Sequence, residues 1–213
     1  MRVLVACEFS QVVTKAFRER GHEAYSCDLL PTEGNPKWHI QGDVIDVLNN
    51  GWDMLIAHPP CTYLTVTGNK WFKTEYKDRF PDRTEQRQSA INFFMLFAFA
   101  PIDKICIENP VGVMSTIWRK PDQYIHPYYF GEPHSKKTGL WLNNLPKLTP
   151  TNVVEPQFYI YKDGRRDPLW HVDTMKLSAT ERTKARSKTF QGIADAMAEQ
   201  WGNEVESDID IEL

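Results

Sequence analysis

The chain has 213 residues, 41% of them hydrophobic and 25% charged, which is ordinary for a soluble globular protein and long enough for one well-packed domain. No apolar run approaches the roughly 20 residues of a membrane span; the longest, residues 91–100, reads as a core helix. The net charge of −3 hides an asymmetry: residues 204–213 carry five acidic side chains and no basic one, so without them −3 becomes +2. A slightly basic body, with clusters at Lys136-Lys137, Arg165-Arg166 and residues 182–188, permits nucleic-acid binding without demanding it. The N-terminus enters a strand-like run directly, so no signal peptide is expected. Cys7, Cys27, Cys61 and Cys106 show no CxxC pair and no zinc spacing, and the six histidines show no ligand spacing. That argues for a reducing cytoplasm, with no disulfide framework, no metal and no membrane association. The acidic end is expected to be disordered, more as a solubilising tail than as a site for a protein partner.

In chain order, residues 3–7 read as a buried strand, and residues 11–20 as a helix with Val12, Val13, Ala16 and Phe17 on one face and Gly21 as its stop. A second strand at 23–27 ends at Asp28. A Pro/Gly-rich loop leads to Asp43-Val44, and residues 54–57 form a third strand. Residues 62–83, with Gly68-Asn69 and Pro81, read as loop. Residues 84–100 are helical, with Thr84 as a candidate N-cap and Pro101 as a stop. Strands follow at 104–107 and 137–142, then helices at 178–186 and 191–201. Strands alternating with helices predict an α/β fold: a mostly parallel sheet with helices on both faces. Residues 143–177, with four prolines and the polar turn 162–166, break the pattern and suggest a small insertion or hairpin over the sheet edge. The expected organisation is one domain over 1–203, with an insertion at about 143–177, and a tail at 204–213.

Chemistry concentrates at two strand ends. The run Met54-Leu55-Ile56-Ala57 is followed by His58-Pro59-Pro60-Cys61, and Lys104-Ile105-Cys106-Ile107 by Glu108-Asn109-Pro110. In an open α/β sheet, ligands bind at the carboxyl edge of the strands. A thiol and a carboxyl held there are what an enzyme needs to add across a pyrimidine ring: thiolate attack at carbon 6 activates carbon 5, and the acid at nitrogen 3 stabilises the adduct. Taken alone, a cysteine after a strand is more often buried and inert than catalytic. Core packing is the better reading for Cys7, Cys27 and Cys106, and for Trp141, Trp170 and Trp201.

These motifs resemble the S-adenosylmethionine-dependent DNA cytosine-5 methyltransferases, in a short form like those of bacteriophages that lacks a large target-recognition domain. Pro59-Pro60-Cys61 matches the family's nucleophile motif, and Glu108-Asn109-Pro110 matches the first two positions of its Glu-Asn-Val. Residues 130–138, Phe-Gly-Glu-Pro-His-Ser-Lys-Lys-Thr, resemble its Gly-x-Pro-Gln-x-Arg-x-Arg stretch, with Lys136 and Thr138 at the two Arg positions. The resemblance implies a Rossmann-like methyltransferase fold and methyl transfer from S-adenosylmethionine to carbon 5 of cytosine in DNA, duplex or single-stranded, in the host cytoplasm if the chain is phage-encoded. It implies catalytic roles for Cys61, Glu108, Pro60, Asn109 and Lys136. Cofactor contacts would come from Cys7, Glu8, Phe9, Ser10, Asp28, Leu29, Asp43, Val44, Pro59 and Gly192. Substrate contacts would come from Thr62, His134, Lys137, Thr138, Arg165 and Arg166, with Lys70, Lys73 and the 182–188 cluster on phosphates.

The departures are specific. The first loop, Ala6 to Gln11, has no glycine where the family is Gly-rich. His58 precedes the Pro-Pro, Thr62 replaces the usual Gln, and Thr138 removes a guanidinium for which Lys136 or Lys137 could substitute, though without its fork geometry. The alternatives are C5 modification of a free pyrimidine nucleotide or single strand, an exocyclic-amine methyltransferase, and an inactive methyltransferase-like binding protein. A monomer and a dimer both remain open.

Overall fold

The computed structural model describes residues 1–203. The tail at 204–213 lies outside the described residues. A seven-stranded sheet runs in the order β3-β2-β1-β4-β5-β7-β6. Its strands are β1 (Arg2–Ala6), β2 (Glu23–Asp28), β3 (His39–Gln41), β4 (Met54–Ala57), β5 (Lys104–Pro110), β6 (Gln123–Ile125) and β7 (Thr138–Asn143). The pairings β1–β2, β2–β3, β1–β4 and β4–β5 are parallel, and β7 alone is reversed, antiparallel to both β5 and β6. The helices are α1 (Val12–Glu19), α2 (Arg83–Ala98), α3 (Met114–Ile117), α4 (Leu169–Met175), α5 (Ala179–Ser187) and α6 (Gln191–Gly202). A separate hairpin pairs β8 (Phe158–Ile160) with β9 (Arg166–Pro168). The expected sheet with flanking helices is therefore present. The reversal of β7 was not legible, because strand direction leaves no mark on an apolar run.

The central strands are apolar throughout because both faces are covered. Side chains alternate between faces. Val3, Val5, Met54 and Ile56 pack with Phe17, Met197 and Trp201 beneath α1 and α6. Leu4, Leu55, Ile105 and Ile107 pack with Phe94, Phe97 and Trp141 beneath α2. Trp141 and Trp201 are core, as expected. Trp170 is only half-buried and stacks on Phe190, because α4 belongs to the hairpin unit rather than to the sheet. Gly21 follows α1 at φ +84°, a conformation that favours glycine.

Two local expectations are corrected. Helix α2 begins at Arg83, so Thr84 lies inside its first turn. A succession of short turns through residues 66–76 feeds the helix from Asp82, whose carbonyl accepts the Gln86 N–H at 2.9 Å. The helix then ends at Ala98, before Pro101 acts: the amide of Ala100 returns to Phe97 and that of Ile102 to Ala100. Helix α5, by contrast, starts as its sequence promises. Ser178 and Glu181 form a reciprocal capping box, the hydroxyl accepting from the Glu181 N–H while the carboxylate accepts from the Ser178 N–H.

Candidate active site

The strand order reverses between β1 and β4, where the crossovers leave in opposite directions and a crevice opens at the carboxyl ends. Two abutting cavities occupy that edge. The first, about 210 Å³, is lined by Cys7, Cys27, Asp28, Leu29, Gly42, Asp43, Val44, Pro60 and Phe93. The second, about 80 Å³, is lined by Cys7, Pro59, Pro60, Cys61, Glu108, Asn109 and Lys136, with His58, Pro110, Arg186 and Ser187. Cys7 and Pro60 belong to both.

The acids of the first cavity are placed by their own turns. Asp28 closes β2 and accepts the Leu30 N–H at 2.9 Å, and Asp43 accepts the Ile45 N–H at 3.0 Å. Each is an Asx turn that holds a carboxylate at the cavity wall. Leu29, Val44 and Phe93 supply an apolar surface beside them. The glycine-free loop that follows β1 reaches the required turn without glycine, with Cys7 at φ +59° and Gln11 at φ +60°. Both are left-handed, a strained conformation for side-chain-bearing residues, and such strain clusters at functional edges. Gln11 is held there by bonds from its side chain to Asn35 and Ser26.

The structure does not bring every expected cofactor residue to this cavity. Glu8 turns inward and its carboxylate accepts from the amides of Val13 and Thr14 and from the Thr14 hydroxyl, capping α1 from within. Burial pushes its carboxyl up, against the pull of nearby His58 and those bonds. Phe9 is buried, and neither it nor Ser10 lines the cavity. Gly192 sits at the start of α6 against Phe130, whose carbonyl oxygen would lie 1.9 Å from any Cβ added there; its role is close helix packing. Cys7 is half-buried, packing against the core while lining both cavities; Cys27 is buried and also lines the first cavity, and Cys106 is buried as expected.

The second cavity gathers all five expected catalytic residues. The last register pair of β4 and β5 is Ala57 with Ile107, so the chains leave the sheet side by side. Asn109 ties the two ends together, its amide donating to the Pro59 carbonyl at 2.8 Å. The turn after Cys61 is closed by the Leu64 and Thr65 amides, both 3.0 Å from the Cys61 carbonyl. It docks on the segment after β5, where Val113 N–H donates to the Leu64 carbonyl.

Burial pushes the Cys61 thiol up, and the negative charge of Glu108 adds to this, while Lys136 opposes both. Burial works against ionisation of Glu108 too. The bond from His58, then Lys136 and Thr138, outweigh it and hold the carboxyl below the usual range. Lys136 donates to the Arg186 carbonyl at 3.1 Å, which brings the end of α5 to the site.

The expected substrate residues scatter. Thr138 is buried beside Glu108. Thr62 faces a third cleft of about 590 Å³ against α2, with Tyr63, Asp82 and Glu85, which adjoins the first cavity at Pro60 and Phe93. His134 packs on Phe190, and the Lys137 ammonium lies over the Tyr124 ring at 4.2 Å. Arg165 and Arg166 sit at the β8–β9 hairpin, paired with Asp163 and stacked on Phe158 respectively, and do not line the Cys61 cavity. His58 and Ser187 were given no role by the sequence, and Arg186, expected on phosphates with the 182–188 cluster, lines the Cys61 cavity. His58 had a signal: aligning the two apolar runs end to end places it beside Glu108.

The strand order, with its single reversed strand, is that of a Rossmann-like S-adenosylmethionine methyltransferase fold. No family model and no curated protein matches the sequence. Among solved structures the chain is similar to an E. coli protein described as a presumptive DNA modification methyltransferase encoded within a prophage. The two share 12% identity over 73% of this chain and 52% of the other, with a TM-score of 0.44. The chain thus spans about half the length of that protein. Among the described residues no helix is long and apolar enough to cross a membrane, and no group of three or more His, Cys, Asp or Glu is placed to hold a metal ion.

Proposed function

We propose that the chain methylates carbon 5 of cytosine in DNA, with Cys61 as nucleophile, Glu108 as its acid partner and S-adenosylmethionine as methyl donor. One observation carries this reading: Cys61 and Glu108 share a cavity that abuts, through Cys7 and Pro60, a second cavity with acids at the ends of β2 and of the loop after β3.

The first cavity would take the adenosine half of the cofactor. Asp28 and Asp43 would accept from ribose hydroxyls and the adenine amino group, and Leu29, Val44 and Phe93 would flank the flat base. When bound, S-adenosylmethionine supplies an electrophilic methyl group. The chain's own residues do the rest. The Cys61 thiol adds to carbon 6 of the ring as its proton passes to the Glu108 carboxylate, and Glu108 hands that proton to nitrogen 3, where the displaced electron pair collects. Carbon 5 then becomes nucleophilic. After it is alkylated, water takes the carbon-5 proton, the thiolate leaves carbon 6, and the nitrogen-3 proton returns to Glu108 as the aromatic ring is restored. Lys136 favours both anions of the site, the thiolate and the carboxylate. Asn109 fixes the strand ends so that thiol and carboxyl keep their spacing.

In a duplex the base must leave the stack to reach Cys61. Residues 62–83, which follow Cys61, carry rings paired with cations: Lys70 lies over Trp71 at 4.4 Å, and Arg87 of α2 lies over Phe72 at 3.4 Å. These features and the hairpin arginines are suited to backbone and base contacts. The test is transfer of tritiated methyl to duplex DNA, single-stranded DNA and free deoxycytidine monophosphate in parallel. Label at carbon 5 of DNA cytosine, lost in Cys61→Ala, is expected. Label in the nucleotide alone would assign the smaller substrate, and label on the exocyclic amine would overturn the reading.

A further inference from the structure

His58 and Glu108 follow the last register pair of two adjacent parallel strands, and their side chains meet with Nδ1 3.0 Å from Oε2. An ionised carboxylate only accepts, so Nδ1 carries the proton of this bond. The imidazole is buried, and its Nε2 has no hydrogen-bond partner among the described residues. A histidine kept only for packing is normally satisfied at both nitrogens. This ring is held through one, and that one is spent on Glu108.

We propose that His58 is a positioning residue for Glu108, pinning one carboxylate oxygen so that the carboxyl group faces the Cys61 cavity in a single orientation. The inference rests on the reading of Cys61 and Glu108 as a methyl-transfer site. It explains why a buried carboxylate carries its charge there: of the contacts that oppose the cost of burial, the His58 bond comes first. The other charged or titratable groups facing the pair come from every neighbouring element. Glu8 approaches His58 from the loop after β1, Cys106 lies on β5, Cys61 follows β4, and Lys136 precedes β7. Arg186 of α5 lines the same cavity. Among the described residues none of these charged groups donates to Glu108 in place of Nδ1; the Thr138 side chain adds a smaller hydrogen bond to the carboxyl.

Two isosteric variants separate positioning from packing. In His58→Asn the amide nitrogen falls near the place of Nδ1 and keeps the bond; in His58→Gln it falls near Nε2 and does not. The carboxyl carbon of Glu108 is followed by 13C NMR titration in the full chain, assigned by its loss in Glu108→Gln, with no need for activity. The wild type and His58→Asn are expected to titrate below the ordinary carboxylate range, and His58→Gln and His58→Ala higher. Methyl transfer to DNA should fall about tenfold in kcat for His58→Gln, less than the roughly 10²–10⁴ that a positioned acid itself contributes. KM should change little, and His58→Asn should recover most of the rate. A midpoint unmoved in Gln and Ala, or moved equally in Asn and Gln, overturns the proposal. Should the midpoints behave as expected while the wild type methylates no cytosine, the positioning of Glu108 stands and the proposed reaction fails.

Discussion

Gly112 is where the two strand ends are pressed together, and Gly112→Ala tests that junction. A Cβ at this position would lie 2.2 Å from the Leu64 carbonyl oxygen and 2.9 Å from its carbon, both backbone atoms. The turn that carries Cys61 must therefore retreat by about 1 Å to restore ordinary contact. The retreat lengthens the 2.8 Å bond from Val113 N–H to Leu64 and disturbs the bridge between Thr65 and Gly112. Overpacking of this kind costs about 1–3 kcal/mol, and a weakened backbone bond adds about 1 kcal/mol. For a chain of this size each kcal/mol lowers Tm by about 2–4 °C. The expected fall is thus roughly 5–15 °C, read by thermal unfolding. Alkylation of Cys61 by iodoacetamide, followed by peptide mass spectrometry, should change rate in the same variant, because the turn itself moves. A wild-type Tm together with an unchanged Cys61 rate would refute the claim that Gly112 lets the Cys61 turn dock on the segment after β5.

Cys61 reactivity also reports the local field. Glu108→Gln removes the charge that raises the thiol, so alkylation near neutral pH should quicken several-fold, whereas Lys136→Met should slow it; equal rates in both variants would deny the electrostatic coupling. Asp122 joins the Arg119 guanidinium at 2.6 Å and the Leu142 amide at 2.7 Å, and these contacts outweigh burial to hold its carboxyl below the ordinary 3.8. A depressed folded value stabilises above the unfolded one and is lost as pH falls through the folded one. Asp122→Asn should therefore cost roughly 1–2 kcal/mol at pH 7, discounted for partial exposure, with the gap to wild type closing below about pH 4. Urea unfolding at pH 7 and pH 3 checks this, and a gap independent of pH would contradict it.

What the sequence made legible was whatever depends on local pattern. The runs at 3–7, 54–57 and 104–107 announce buried strands, and their abrupt ends locate Cys61 and Glu108 at one edge of the sheet. The Ser178–Glu181 box marks the start of α5. Long-range facts were not legible. Strand β7 reads like any other apolar run, and its reversal depends on which neighbour it pairs with. Glu8 looks like a ligand-loop acid until α1 is seen to take both its oxygens. Trp170 looks like core until α4 is seen to sit on the hairpin rather than on the sheet. His58 was visible but unread, because its meaning depends on the register of β4 against β5.

The central claim is that Cys61 becomes covalently joined to a cytosine ring during transfer. A DNA duplex bearing 5-fluorocytosine, incubated with the protein and S-adenosylmethionine, tests it directly, since the fluorine cannot leave as a proton does. The account predicts a denaturation-resistant complex whose crosslinked peptide contains Cys61, absent in Cys61→Ser. A complex mapped to another residue, or undiminished methyl transfer by Cys61→Ser, would contradict it.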